Sequence, residues 1–92
     1  MNAIKIIVNG RVQGVGFRHF ICQRAVNLGL KGYVKNLPNS NVEILAIGEE
    51  ASIRELTECA ESGPRFADVD EIEIIPLNEN NFHQYNDFTI HH

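Results

Sequence analysis

The period of the apolar residues changes repeatedly along this chain, and the order of those changes is what most limits its fold. Residues 4–8, IKIIV, form a β-branched, nearly continuous apolar run, which predicts a central strand. Phe17, Ile21, Ala25 and Leu28 follow at spacings of four, four and three. That is one face of a helix, and Gly29 is placed to stop it. KGYVKNL (31–37) predicts a second strand, PNSN a turn, and VEILAIG (42–48) a third strand. Ile53, Leu56 and Ala60 stripe a second helix over 49–62, closed by Ser62-Gly63-Pro64. A fourth strand is expected over 69–75, with Pro76 ending it. The polar, Asn-rich stretch LNENNFHQYN (77–86) predicts a loop, and Phe88-Thr89-Ile90 a short strand at an edge.

The order is therefore β-α-β-β-α-β plus a short final strand. This is the split β-α-β plan, an α+β ferredoxin-like fold: an antiparallel sheet with two helices packed on one face. Ninety-two residues suffice for one core, so residues 1–92 read as a single domain. No repeat, low-complexity tract or linker interrupts them.

Composition excludes more than it selects. With 43% hydrophobic and 22% charged residues, the chain has an ordinary globular make-up. No apolar run approaches the roughly 18 residues of a membrane helix. The start MNAIKIIVNG lacks the features of a signal peptide, so the expected location is cytoplasmic, with no membrane partner. Cys22 and Cys59 fit no CxxC pattern and read as reduced, partly buried thiols. The terminal His91-His92 pair is too little for a metal site. The net charge of −4 hides an asymmetry. Residues 1–42 carry six cations and no acid, whereas residues 43–92 carry twelve acids against Arg54 and Arg65. An acid-free first half suggests a face built to receive an anion, while the acidic total argues against nucleic acid.

The stretch VNGRVQGVGFRHF (8–20) makes that anion more specific. A helix start leaves several backbone N–H groups without partners, and Ser, Thr, Asp or Asn ordinarily caps it. None of these lies between Gly10 and Phe20. The first turn ordinarily favours acids, yet Arg18 and His19 stand there. An external anion resolves both departures. Gly14 and Gly16 permit a close backbone approach, and the planar fork of Arg18 matches phosphate or carboxylate. His19 sits where a third dinucleotide-fingerprint glycine would be needed, and no GK[ST] follows, so both nucleotide loops are excluded. Spacing alone leaves open which anion is meant, and a tight turn with a surface arginine stands beside that reading.

Gly10-Arg11-Val12-Gln13-Gly14-Val15-Gly16-Phe17-Arg18 resembles the first signature of the acylphosphatases. Gly32-Tyr33-Val34-Lys35-Asn36 followed by Val42-Glu43 resembles the second. Gly63-Pro64 before Ala67-x-Val69, and the closing Phe88-x-Ile90, are also similar to the family, so the resemblance spans essentially the whole chain. It implies hydrolysis of the carboxyl–phosphate bond of small acyl phosphates. It implies a phosphate cradle of Gln13, Gly14, Val15, Gly16, Phe17 and Arg18, with Arg18 and Asn36 as catalytic residues. No metal or organic cofactor is implied. Inorganic phosphate or sulfate is the expected product-like ligand, and a monomer the expected state.

Three positions depart from the family pattern. Asn39-Ser40 replaces the usual Asp-Gly of the hairpin, with Asn39 expected to take the left-handed conformation. Leu37 stands where many members carry a hydroxyl residue, and His91 where many carry a basic or aromatic one. Two alternative functions remain. One is a non-catalytic ferredoxin-like module that binds an anion or RNA, faintly suggested by Lys31-Gly32-Tyr33-Val34. The other is a carbamoyl-phosphate-handling relative of the kind found inside larger maturation proteins. The start at Met1 favours a free-standing enzyme.

Overall fold

The computed structural model describes residues 2–78, 82 and 84–92. The elements run β1 (Asn2–Arg11), α1 (Phe17–Asn27), β2 (Lys31–Asn36), β3 (Val42–Gly48), α2 (Glu50–Ser62), β4 (Asp68–Leu77) and β5 (Phe88–His91). They form one five-stranded sheet in the order β4-β1-β3-β2-β5. The first four strands pair antiparallel, as expected for the ferredoxin-like plan. The last does not: β5 pairs parallel with β2, so the complete sheet is mixed.

Strand alternation decides what each face buries. Ile6, Val8, Val34, Val42, Ile44 and Ala46 face the helices and meet Phe17, Ile21 and Ala25 of α1 and Ile53, Leu56 and Ala60 of α2. The stripes expected for both helices are thus the buried ones. The apolar run of β1 reflects its inner position between β4 and β3. On the other face, Ala3, Leu45 and Ile47 form a second cluster, with Tyr33, Leu77, Phe82 and Tyr85 packed against it. The segment expected to be only a polar loop therefore contributes two aromatic rings to the helix-free face. Its residues 79–81 and 83 lie outside the described residues.

Two expectations need correction. Pro76 does not end β4, which continues to Leu77 with Pro76 opposite Ile4. A proline lacks the N–H of a ladder donor, but an edge strand has a side on which none is needed. The hairpin between β2 and β3 also differs. Ser40, not Asn39, takes positive φ, at 77°. Ser40 N donates to Leu37 O at 3.2 Å, closing a turn with Pro38 and Asn39 at its centre. The Asn39 side chain instead accepts from Asn41 N at 3.1 Å. The left-handed position therefore falls one residue later, on a side chain that pays a steric cost there. Ser40→Gly is expected to stabilise the fold by roughly 0.5–1 kcal/mol, after the entropy lost with glycine is counted. A thermal melt should show this as a rise of about 4 °C.

Candidate active site

The loop between β1 and α1 is built to leave a helix start open. Gly16 occupies the N-cap with φ 79° and ψ 13°, no side chain caps the helix, and its first turn holds no acid. Gly14 is also left-handed, at φ 75°. A Cβ built at either glycine would meet nothing within 4 Å. Their need for glycine therefore comes from the dihedrals, and the space in front of them is open. Phe17 is almost wholly buried and anchors the helix start in the core. Burying such a ring stabilises by about 1.5–3 kcal/mol, which holds the loop against the sheet.

A cavity of about 260 Å³ lies at this helix start, lined by Gly14, Gly16, Phe17, Arg18, His19, Asn36 and His92, with Val12 and Ile90. Asn36 enters through strand alternation. It lies two residues beyond the fully buried Val34, so its side chain faces the helices. Its Oδ1 is buried without a hydrogen-bond partner among the described residues. A buried acceptor left unpaired costs about 1–3 kcal/mol, which marks Asn36 as a position kept for something other than stability.

The two catalytic candidates, Arg18 and Asn36, thus line one cavity, with Gly14, Gly16 and Phe17 of the expected cradle. Gln13 and Val15 are not among the residues that line it. Gln13 instead braces the loop, its Nε2 donating to Leu37 O at 2.9 Å and to Asn41 O at 2.8 Å. These two bonds tie the β1–α1 loop to the hairpin that follows Asn36. Val15 is half-buried and packs on the core.

Arg18 is held from a direction the motifs do not show. Its Nη1 donates to the His91 carbonyl at 3.0 Å and lies 3.4 Å from His92 Nδ1. The contact with the last strand is made by the main chain of residue 91. His92 is a cavity residue that motif reading missed. Alternation through Phe88 and Ile90 was the available signal. Neither cysteine enters the cavity. Cys22 Sγ donates to Phe88 O at 3.7 Å. Burial, and secondarily the charge of Asp87, push its thiol up from the ordinary value, away from nucleophilic use.

The acylphosphatase family model matches residues 4–90. An acylphosphatase from Archaeoglobus fulgidus is 44% identical over 85 residues, covering 92% of this chain and 96% of the relative. The chain belongs to the acylphosphatase family. The crystal structure of acylphosphatase from Bacillus subtilis superposes with a TM-score of 0.93 at 37% identity, covering all of both chains. The structure of T. kodakarensis HypF is similar over all of this chain, with a TM-score of 0.83 and 35% identity, but over only 12% of its own length. Among the described residues, no helix is long and apolar enough to cross a membrane.

Proposed function

We propose that this chain hydrolyses small acyl phosphates, with Arg18 and Asn36 as its catalytic residues. One juxtaposition carries the reading. An uncapped helix start bearing Arg18 lines the same cavity as Asn36, whose buried Oδ1 has no partner among the described residues. The phosphoryl oxygens accept hydrogen bonds from backbone N–H groups of the 13–18 turn, where the helix dipole favours negative charge. The Arg18 guanidinium balances the charge on the transferring oxygens.

Asn36 has no proton chemistry at neutral pH, but its Oδ1 can accept from a water and hold it in line with the phosphorus. Water attacks phosphorus as the P–O bond to the acyl group breaks. The acyl oxygen leaves with the bonding pair as a carboxylate, so no strong general acid is needed. One water proton passes to a phosphoryl oxygen, giving dihydrogen phosphate, which then ionises in solution. Positioning and charge stabilisation therefore suffice, in line with the general demands of phosphoryl transfer. The reading requires no metal or organic cofactor. Inorganic phosphate or sulfate would occupy the same seat as a product-like ligand, and we take the protein to act as a cytoplasmic monomer.

The RNA-binding alternative meets an opposing observation. An RNA-recognition sheet stacks bases on its open face. Here that face is packed by Phe82 and Tyr85, and Glu43 lies on it. The test of the enzymatic reading is loss of benzoyl phosphate or acetyl phosphate in excess chelator. Release of one phosphate per substrate is the expected result. No hydrolysis would sink the reading, and a rate abolished by chelator would refute its independence from metal.

A further inference from the structure

We infer that the stack of His91 on Tyr33, on the helix-free face of the sheet, positions Arg18 for phosphate on the opposite face. The inference rests on the acyl phosphate reading above. The strand β5 has four residues and lies at the sheet edge, paired with β2 on one side. Alternation sends the side chains of Ile90 and His92 toward the helices and that of His91 to the outer face. There the His91 ring lies flat on Tyr33, with centroids 4.6 Å apart and 16° between the planes.

Tyr33 is itself held. Its hydroxyl donates to Glu43 Oε2 at 2.7 Å, and the Lys35 ammonium sits 5.4 Å from its ring centroid. Lys35 and Lys5 flank the same carboxylate at 3.6 and 3.9 Å. Burial first, then the bond to Glu43, raises the Tyr33 pKa, so the hydroxyl stays a donor. The clamped ring fixes the end of β5, and with it the His91 carbonyl that Arg18 Nη1 reaches at 3.0 Å. That bond uses one guanidinium nitrogen and orients the rest of the planar fork. Tyr33 and His91 are thus positioning residues, acting through a main-chain carbonyl.

Without the stack, bound phosphate must itself order Arg18, at a cost of about 3- to 10-fold in affinity. Arg18 meets the phosphoryl group in both ground and transition states, so the cost falls on KM rather than kcat. The experiment combines steady-state kinetics on benzoyl phosphate with calorimetric titration of inorganic phosphate. His91→Ala is expected to raise both KM and the phosphate Kd by about 3- to 10-fold, with kcat within about two-fold of wild type. His91→Phe keeps a flat ring and should restore both values. Tyr33→Leu should behave like His91→Ala; if it fails to fold, the exposed position 91 still decides the matter. An unchanged KM and Kd in His91→Ala overturns the inference, as does failure of His91→Phe to restore them. A purely structural role would lower the melting temperature without moving Kd. A wild type that binds phosphate but hydrolyses no acyl phosphate refutes the proposed function alone, because the Kd comparison still tests positioning. A wild type that does neither refutes both.

Discussion

Arg18→Ala should lower kcat/KM for benzoyl phosphate by on the order of 10³-fold or more. The size follows from the position of the charge. Arg18 lines the cavity in the first turn of an uncapped helix, beside the open backbone N–H groups of that turn. Partly excluded from water, a cation there counts for more than it would on an open surface. Truncation also removes the hydrogen bond to the His91 carbonyl. Arg18→Lys restores the charge without the planar fork and should recover only part of the loss. Steady-state kinetics on the two variants check this directly. An Arg18→Ala enzyme within about ten-fold of wild type would remove Arg18 from the catalytic set, since a charged transition-state contact is worth far more.

Asn36→Ala should lower kcat by on the order of 10²- to 10³-fold, with KM moving only a few-fold. A positioned water contributes to the transition state and little to substrate binding, so the split between kcat and KM is part of the prediction. Stability should move the other way from activity. The wild-type amide buries Oδ1 without a partner among the described residues, and its removal relieves that desolvation cost. The variant should therefore melt no lower than wild type. A side chain kept at a cost to stability is what a reacting site produces. If activity and melting temperature fell together, Asn36 would be a structural hairpin residue.

Some of this architecture was legible because it is local. The buried stripes of both helices follow from spacing alone, and the strands are found where β-branched and alternating runs place them. The open helix start was legible for the same reason: an absent cap and a misplaced arginine are properties of adjacent residues. What failed was decided by neighbours distant in sequence. Pro76 reads as a stop until β4 proves to be an edge strand. Phe82 and Tyr85 look like loop residues until Leu45 and Ile47 need covering. In the hairpin, Asn39 was the intrinsically better left-handed residue, yet the turn closed by Leu37 and Ser40 put Ser40 there. The bracing role of the Gln13 side chain was hidden for the same reason, since the two hairpin carbonyls it reaches belong to Leu37 and Asn41.

The stretch 13–18 alone determined that an anion could be seated at a helix start, because dihedral freedom, dipole and charge are set by neighbouring residues. It could not supply the second half of the site. Asn36 lies eighteen positions beyond Arg18, and His92 a further fifty-six. Only the sheet order brings these strand ends to one cavity. Pairing of β2 with β5 places their ends side by side, and alternation turns Asn36 and His92 inward while Tyr33 and His91 turn out. The open, cationic helix start is a property of the chain's local chemistry, and the residues that face it are a property of the sheet.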